Sequence, residues 1–366
     1  MALSPNYQWA EPDNSSLVKN GAQDIRALGD AIDTSVWNVG YGQAGKNKII
    51  NGDFAINQRS FTTASGGYGF DRWNLSTSGG TATYTPQTFT LGAAPVAGYE
   101  AKNFARLATT VGNDFCRLEQ KIESVRTFAG QTATISFWAK GTNPTTAGNL
   151  AITLQQFFGT GGSPSAQNLL TQQTFVLTAN WTRYSFTFAV PSISGKTLGT
   201  NGDDCLGVWI GQGTSTSADA WTLDLWGVQA EYGSYATPFQ TATGTIQGEL
   251  AACQRYYYRV NGGSNLRFGS GQAIGTTLAN CLIPFPVQMR TAPTALEQSG
   301  TASQYGVLNA SASSVLTGGV VPTFDKAGLV NANVTFTVTS GLVAGNAAQC
   351  MDNNSSSAYL GWSAEL

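Results

Sequence analysis

Acidic residues are the first place to look for chemistry, because the 366-residue chain contains no histidine. Without imidazole there is no Ser-His-Asp or Cys-His nucleophile, no ordinary proton shuttle and no His ligand for zinc. A reaction would have to rest on paired carboxylates, drawn from 21 Asp and Glu. Two pairs are close in sequence. Glu119 and Glu123 fall on one side of a strand if it runs on that far, but Glu119-Gln120-Lys121 reads as an ordinary exposed stretch. Asp203-Asp204 follows Asn201-Gly202 and reads as a hairpin turn. The five cysteines (Cys116, Cys205, Cys253, Cys281 and Cys350) are odd in number, widely spaced and without C-x-x-C. They indicate neither a zinc site nor a disulfide framework, and read as buried thiols, with Cys205–Cys253 and Cys281–Cys350 left open as bridges. No enzyme is expected.

The elements that position these residues change character along the chain. Residues 1–44 stand apart: after Pro12, Asp13-Asn14-Ser15-Ser16 offers helix N-cap oxygens. Val18, Ile25, Ile32 and Val39 then recur every seven residues, with Leu28 and Val36 on or beside the same face. This is a heptad seam, too short to stand alone in water. It is expected to associate into a trimer, the alternative being an amphipathic helix packed on its own chain. Gly40, Gly42 and Gly45 end it.

From residue 45 to 243 the pattern is of strands. TATISFWAKG (132–141) alternates with period two, and LAITLQQFF, DCLGVWIGQG and WTLDLWGVQAE continue it. Polar and Gly-rich connections without intervening helices predict an antiparallel jelly roll. Trp138, Trp209 and Trp226 lie inside these strand patterns and are expected in the core. Residues 244–258 form a helical joint with Ile246, Leu250, Cys253 and Tyr257 on one face. Residues 259–366 return to short strands and predict a second, smaller β-sandwich. The fold class is thus mainly β, behind one short N-terminal helix.

Only 11% of residues are charged and the net charge is −2, with no Lys/Arg run, so nucleic acid is not an expected partner. No apolar stretch approaches the ~20 residues of a membrane span. The N-terminus has neither the basic nor the apolar region of a signal peptide.

Several stretches together resemble a family of bacteriophage virion proteins of the tail-fibre or receptor-binding type. They are N-x-I-I-N-G-D-F-x-I-N-Q-R (47–59), F-D-R-W (70–73), L-W-G-V-Q-A-E-x-G-x-x-A-T-P-F (225–239), E-L-x-x-C-Q-R-Y-Y (249–257) and F-P-V-x-M-R-x-x-P-T (285–294). The segment from Trp9 to Asp33 looks like the leader on such fibres. The resemblance implies a carbohydrate-binding jelly roll between the N-G-D-F and A-T-P-F motifs, beginning and ending on neighbouring strands. It further implies a structural calcium near that junction, with Asp53 and Asp224 as carboxylate ligands. Ala55 stands where calcium-binding modules often carry Glu, and a plain turn at Asn51-Gly52 is the alternative. Arg59, Arg72 and Trp73 read as structural, with Asp71 beside Arg72 in a buried ion pair.

Sugar recognition needs flat apolar faces and Asn, Asp, Gln or Arg to read hydroxyls, usually on loops. In the last domain, Asn261, Asn265, Arg267, Tyr305, Asp352 and Asn353 sit in loop-like polar contexts and mark residues 259–366 as the expected contact tip. The expectation is a homotrimeric fibre or tail-tip protein of the virion, made in the host cytoplasm. It would be anchored to other tail or baseplate proteins through residues 1–44 and attached to host surface glycan. A decoration or head-fibre protein without ligand, and a polysaccharide hydrolase, are the other two readings.

Overall fold

The computed structural model describes residues 2–3, 10–11, 20–39, 44–144, 150–212, 220–309 and 315–366. Strands β1 (Ala2–Leu3) and β2 (Ala10–Glu11) pair with each other. The helix α1 (Gly21–Val39) follows. Two of its heptad residues are exposed, Ile25 at 67% and Ile32 at 38%, and Leu28 is half-buried. Val36 and Val39 lie in the last turns of α1, while Val18 is outside the described residues. Among the described residues no helix is long and apolar enough to cross a membrane.

The jelly-roll-like part runs from β3 (Gly67–Tyr68) through β4 (Asn74–Thr88), β5 (Asn103–Glu123), β6 (Thr132–Thr142) and β7 (Leu150–Phe157). It continues with β8 (Asn168–Leu169), β9 (Gln173–Phe175), β10 (Thr182–Ala189), β11 (Cys205–Gln212) and β12 (Trp221–Tyr232). All pairings are antiparallel, in the order β10-β6-β12-β5-β11-β7-β8. The long strand β5 serves two layers, pairing with β12 over residues 105–109 and with β11 over 116–123. Its partner β4 slips register on either side of Gly79-Gly80, where positive φ angles of 69° and 40° suit glycine. The sheet thereby folds over, and inward residues of both halves make one core: Ile135 and Phe137, Leu223 and Leu225, Ile152 and Leu154, Leu206 and Val208.

The N-G-D turn is the seam of this unit. Asn51 takes φ 57°, and its side chain bonds Ile56 N and O (2.9 Å each) and Asp71 O (3.0 Å). A Cβ at Gly52 would lie 2.1 Å from Val228 O, so only glycine lets the first turn reach the last strand. There Gly52 O accepts from Val228 N at 2.9 Å. Trp73 is fully buried and donates to Asn51 O at 2.9 Å.

The joint helix α2 (Ile246–Gln254) is capped by Thr245 Oγ1, which accepts from Gly248 N at 3.1 Å. Its buried side is Glu249 and Cys253, whereas Ile246 is 53% exposed. Of the expected face, Cys253 and Tyr257 are buried and Ile246 is not, because Glu249 turns inward to accept from the backbone N–H groups of Asn51 and Thr243.

Beyond it, β13 (Tyr257–Asn261) pairs with the last strand in a small sheet. Then come β14 (Arg267–Ala273), β15 (Leu278–Pro284), β16 (Glu297–Gln298), β17 (Tyr305–Asn309), β18 (Val315–Ala327), β19 (Asn331–Val338), β20 (Ala347–Asp352) and β21 (Tyr359–Ser363). Strands β13-β21-β16 form the small sheet, and β14-β15-β19-β18-β17-β20 close into a barrel. Where strand spacing predicts two packed layers, three register shifts in β18 and one in β14 bend the strands far enough to close. A disulfide joins Cys281 to Cys350 with Cα atoms 6.2 Å apart. Cys116, Cys205 and Cys253 are free and buried.

The two units are clasped together. Arg72 does not pair with Asp71; it is ion-paired with Glu365 and lies 3.5 Å over the Tyr256 ring. Asp71 instead accepts from Gln58 N at 2.9 Å. Adjacent residues on a tight turn project apart, so the neighbouring opposite charges never meet. Arg290 donates to the carbonyl of Gly202 at 3.0 Å, and Arg255 pairs with Glu123 at 2.9 Å.

Candidate functional site: the outer face of the β5-β11-β7 sheet

Strand β11 reads C-L-G-V-W-I-G-Q. Leu206, Val208 and Ile210 point inward and are fully buried, which by alternation puts Gly207, Trp209 and Gly211 on the other face. Trp209 there is only half-buried. Its register partners are Glu119 on β5 and Thr153 on β7. The flanking glycines clear the surface around it. A Cβ at Gly207 would stand 3.1 Å from the indole Nε1 and 3.2 Å from Gln155 Oε1. At Gly211 (φ 147°) a Cβ would meet Cys116 O at 2.6 Å.

Planar polar groups surround the ring. The Arg117 guanidinium lies 3.6 Å over the indole, and its Nε donates to Glu119 Oε1 at 2.6 Å. On the other side, Gln155 Nε2 donates to Gln167 Oε1 at 2.6 Å. A cavity of about 220 Å³ deepens the face between Arg117, Thr153, Leu169, Gln172 and Trp209. Guanidinium, carboxylate and two carboxamides supply paired donors and acceptors in fixed planes, matched to vicinal hydroxyls. The indole adds an apolar surface for ring C–H groups. Sequence reasoning placed Trp209 in the core. The missed signal is G-x-W-x-G: in a strand, glycine at both i−2 and i+2 leaves an aromatic ring without same-face side chains from its own strand.

The residues expected to read sugar in the last domain have internal duties. Asp352 is fully buried and accepts from the backbone N–H groups of Gly263 (3.1 Å), Asn265 (3.0 Å), Leu266 and Ser355 (3.0 Å). Tyr305 is fully buried too, its hydroxyl donating to Tyr359 O at 2.8 Å. Asn353 donates to Ser303 O at 3.0 Å, and Asn265, at φ 58°, accepts from Asn354 N at 3.0 Å. Asn261 accepts from Arg259 Nε at 2.7 Å, and Arg267 donates to Gln349. Asp352, Asn265 and Asn353 do meet, but as the staples of two loops. Loops need such side chains to satisfy their own backbone, and polarity in sequence does not separate that use from ligand contact.

Asp224 is not free to serve as a calcium ligand, since Arg106 engages both its oxygens at 2.6 and 2.8 Å. Asp53 accepts from the Tyr99 hydroxyl at 2.8 Å, and burial raises its pKa against that hydrogen bond. Among the described residues no three His, Cys, Asp or Glu side chains gather as a metal-ligand set. The acid pairs are engaged as well: Glu119 by Arg117, Glu123 by Arg255 and Tyr256, Asp203 by Thr160 and Asp204 by Ser124.

No protein-family model matches the chain, and neither does any curated protein. Similar solved structures include the enzymatically active domain of tailspike protein 4 from bacteriophage CBA120, with 15% identity and a TM-score of 0.33. That match covers 51% of this chain but spans only 22% of the tailspike chain. A family 11 carbohydrate-binding module from Clostridium thermocellum, in complex with a mixed-linked tetrasaccharide, is 9% identical with a TM-score of 0.30, covering 47% of this chain and 95% of the module. A xylan-binding domain from Paenibacillus barcinonensis is 13% identical with a TM-score of 0.28, covering 53% and 99%.

Proposed function

We propose that the chain is a virion adhesion protein, a fibre or tail-tip component, that binds host surface polysaccharide without cleaving it. The observation that carries the binding reading is Trp209, only half-buried on a strand face cleared by Gly207 and Gly211 and bordered by Arg117, Glu119 and Gln155. The contact surface is then the sheet face, not the tip at residues 259–366. Engagement of each close acidic pair in ion pairs and turns favours holding over hydrolysis. The virion setting rests on the resemblance of the five motifs and of the leader, with residues 1–44 attaching to other tail or baseplate proteins. The uncovered Ile25 and Ile32 favour three copies side by side, whose weak sites add through avidity.

The test uses the full chain, because the clasp around Arg72 and Glu365 makes truncation at residue 259 disruptive. Retention on immobilised host-envelope polysaccharide is expected to weaken about tenfold in Trp209→Ala and in Arg117→Ala, with the far-UV spectrum unchanged. Wild-type retention by Trp209→Ala would sink the sheet-face assignment. No retention of the wild-type chain by any host polysaccharide would favour a decoration protein, and new reducing ends would favour a hydrolase.

A further inference from the structure

The sheet-face cavity of about 220 Å³ carries one charged side chain among its described lining residues, Arg117, beside the neutral Thr153, Gln172 and Gln212. A guanidinium alone in such a place selects anions, because its planar fork grips a carboxylate or phosphate bidentately. Arg117 is not alone. Its Nε donates to Glu119 Oε1 at 2.6 Å, and the two side chains are only 13% and 11% exposed. Salt screens an ion pair so sheltered only weakly, so the charge of Arg117 is balanced inside the protein. The guanidinium is also fixed in place, 3.6 Å from the centre of the Trp209 ring and 4.6 Å from that of Phe115. Its two terminal nitrogens have no hydrogen-bond partner among the described residues and are not buried. They offer a ligand N–H donors on a pair without net charge.

Glu119 does more than balance that charge. It stands opposite Trp209 in register, with Oε2 also free of a hydrogen-bond partner among the described residues and not buried. The next outward residue of β5, Lys121, donates to Leu366 O at 2.7 Å and does not line the cavity. An anionic sugar reaching the Arg117 terminal nitrogens would bring its charge up to a carboxylate already fastened to the same guanidinium. Like charges across a contact reject a partner. A hydroxyl meets no such penalty, since it can accept from Arg117 and donate to Glu119. We propose that Glu119 is the specificity-determining residue of this face, admitting uncharged sugars and rejecting uronic acids and sugar phosphates or sulfates. This selectivity presupposes the sheet-face site and adds the class of glycan that it admits.

The probes are the uncharged and the acidic fractions of host-envelope polysaccharide, separated by anion exchange and immobilised side by side, and the protein is the full chain. The wild-type chain is expected to be retained on the uncharged fraction, at a level constant between about 50 and about 500 mM NaCl and about tenfold weaker in Trp209→Ala. The acidic fraction should retain it at least about tenfold less. In Glu119→Gln the ratio of acidic to uncharged retention is expected to rise about tenfold, because the amide oxygen can still hold Arg117 Nε but carries no charge. The wild-type salt and fraction profile stands on its own should that variant fold poorly. Trp209-dependent retention on the acidic fraction equal to that on the uncharged one, or a ratio unchanged in Glu119→Gln, would overturn the proposal and leave the sheet-face site standing. Retention on neither fraction, or retention indifferent to Trp209→Ala, would end the sheet-face reading itself, and this selectivity with it.

Discussion

Burial raises the pKa of three carboxyls, Asp53, Asp71 and Glu249, against the hydrogen bonds from Tyr99, Gln58 and the Asn51 backbone that oppose it. An acid raised in this way holds its proton more tightly folded than unfolded. The stability it contributes is complete below its ordinary value, 3.8 for aspartate and 4.5 for glutamate, and is lost as pH rises through the folded pKa. Glu123 and Asp203 run the other way. Burial raises them, but hydrogen bonds from Arg255 and Tyr256 in one case and Thr160 in the other prevail and lower them. Their contribution is lost only as pH falls below about 4.5. Above about pH 5 the lowered acids contribute in full, so a carboxyl response to pH there comes from the raised ones, and the absence of histidine leaves no ordinary side chain to obscure it. The urea midpoint is therefore expected to rise as pH falls from about 7 towards about 5, through the raised pKa values, and to rise less in Asp53→Asn. A fall over that interval would contradict the assignment.

Among the elements, the barrel shows how bulges and a cross-link replace a second layer. Cys281 on β15 and Cys350 on β20 flank β14 and close a loop of 69 residues in sequence separation. Constraint of the unfolded chain on that scale contributes about 2–4 kcal/mol. The double variant Cys281→Ala/Cys350→Ala is expected to lose about that much in denaturant unfolding, with the jelly-roll-like unit retaining its near-UV signal. Thiol titration of the denatured wild-type chain should find three free cysteines; five would remove the bridge. The pairing was one of two left open by spacing, since only strand closure brings residues this distant in sequence together. The existence of β6, β7, β11 and β12 was legible in their period-two pattern. The inward or outward sense of Trp209 was legible only through its flanking glycines.

At the scale of the whole molecule, α1 leaves Ile25 and Ile32 exposed among the described residues, at 67% and 38%. If copies associate along that seam, Ile25→Asp/Ile32→Asp is expected to turn a trimer into a monomer in sedimentation equilibrium. Retention on polysaccharide should fall about a hundredfold with it, because three weak sites no longer act together. A wild-type chain that sediments as a monomer would end the trimer reading. The clasp adds a second constraint on any such assembly. With Arg72 buried against Tyr256 and Glu365, separating the units would leave a charge buried without its partner, so the sandwich and barrel are expected to be presented as one piece.

The sequence by itself determined the class of the fold, the division between helical leader and strands, and the N-G-D seam. Each of these is local: periodicity and a left-handed Asn-Gly turn act within a few residues. It also removed histidine chemistry outright. Only the tertiary structure decided which polar residues are spent on their own backbone, as Asp352 and Tyr305 are, and that Arg72 answers Glu365 across the whole chain. It likewise decided that Asp224 belongs to Arg106. These outcomes depend on which distant strands become neighbours, and that is settled by closure of the two sheets.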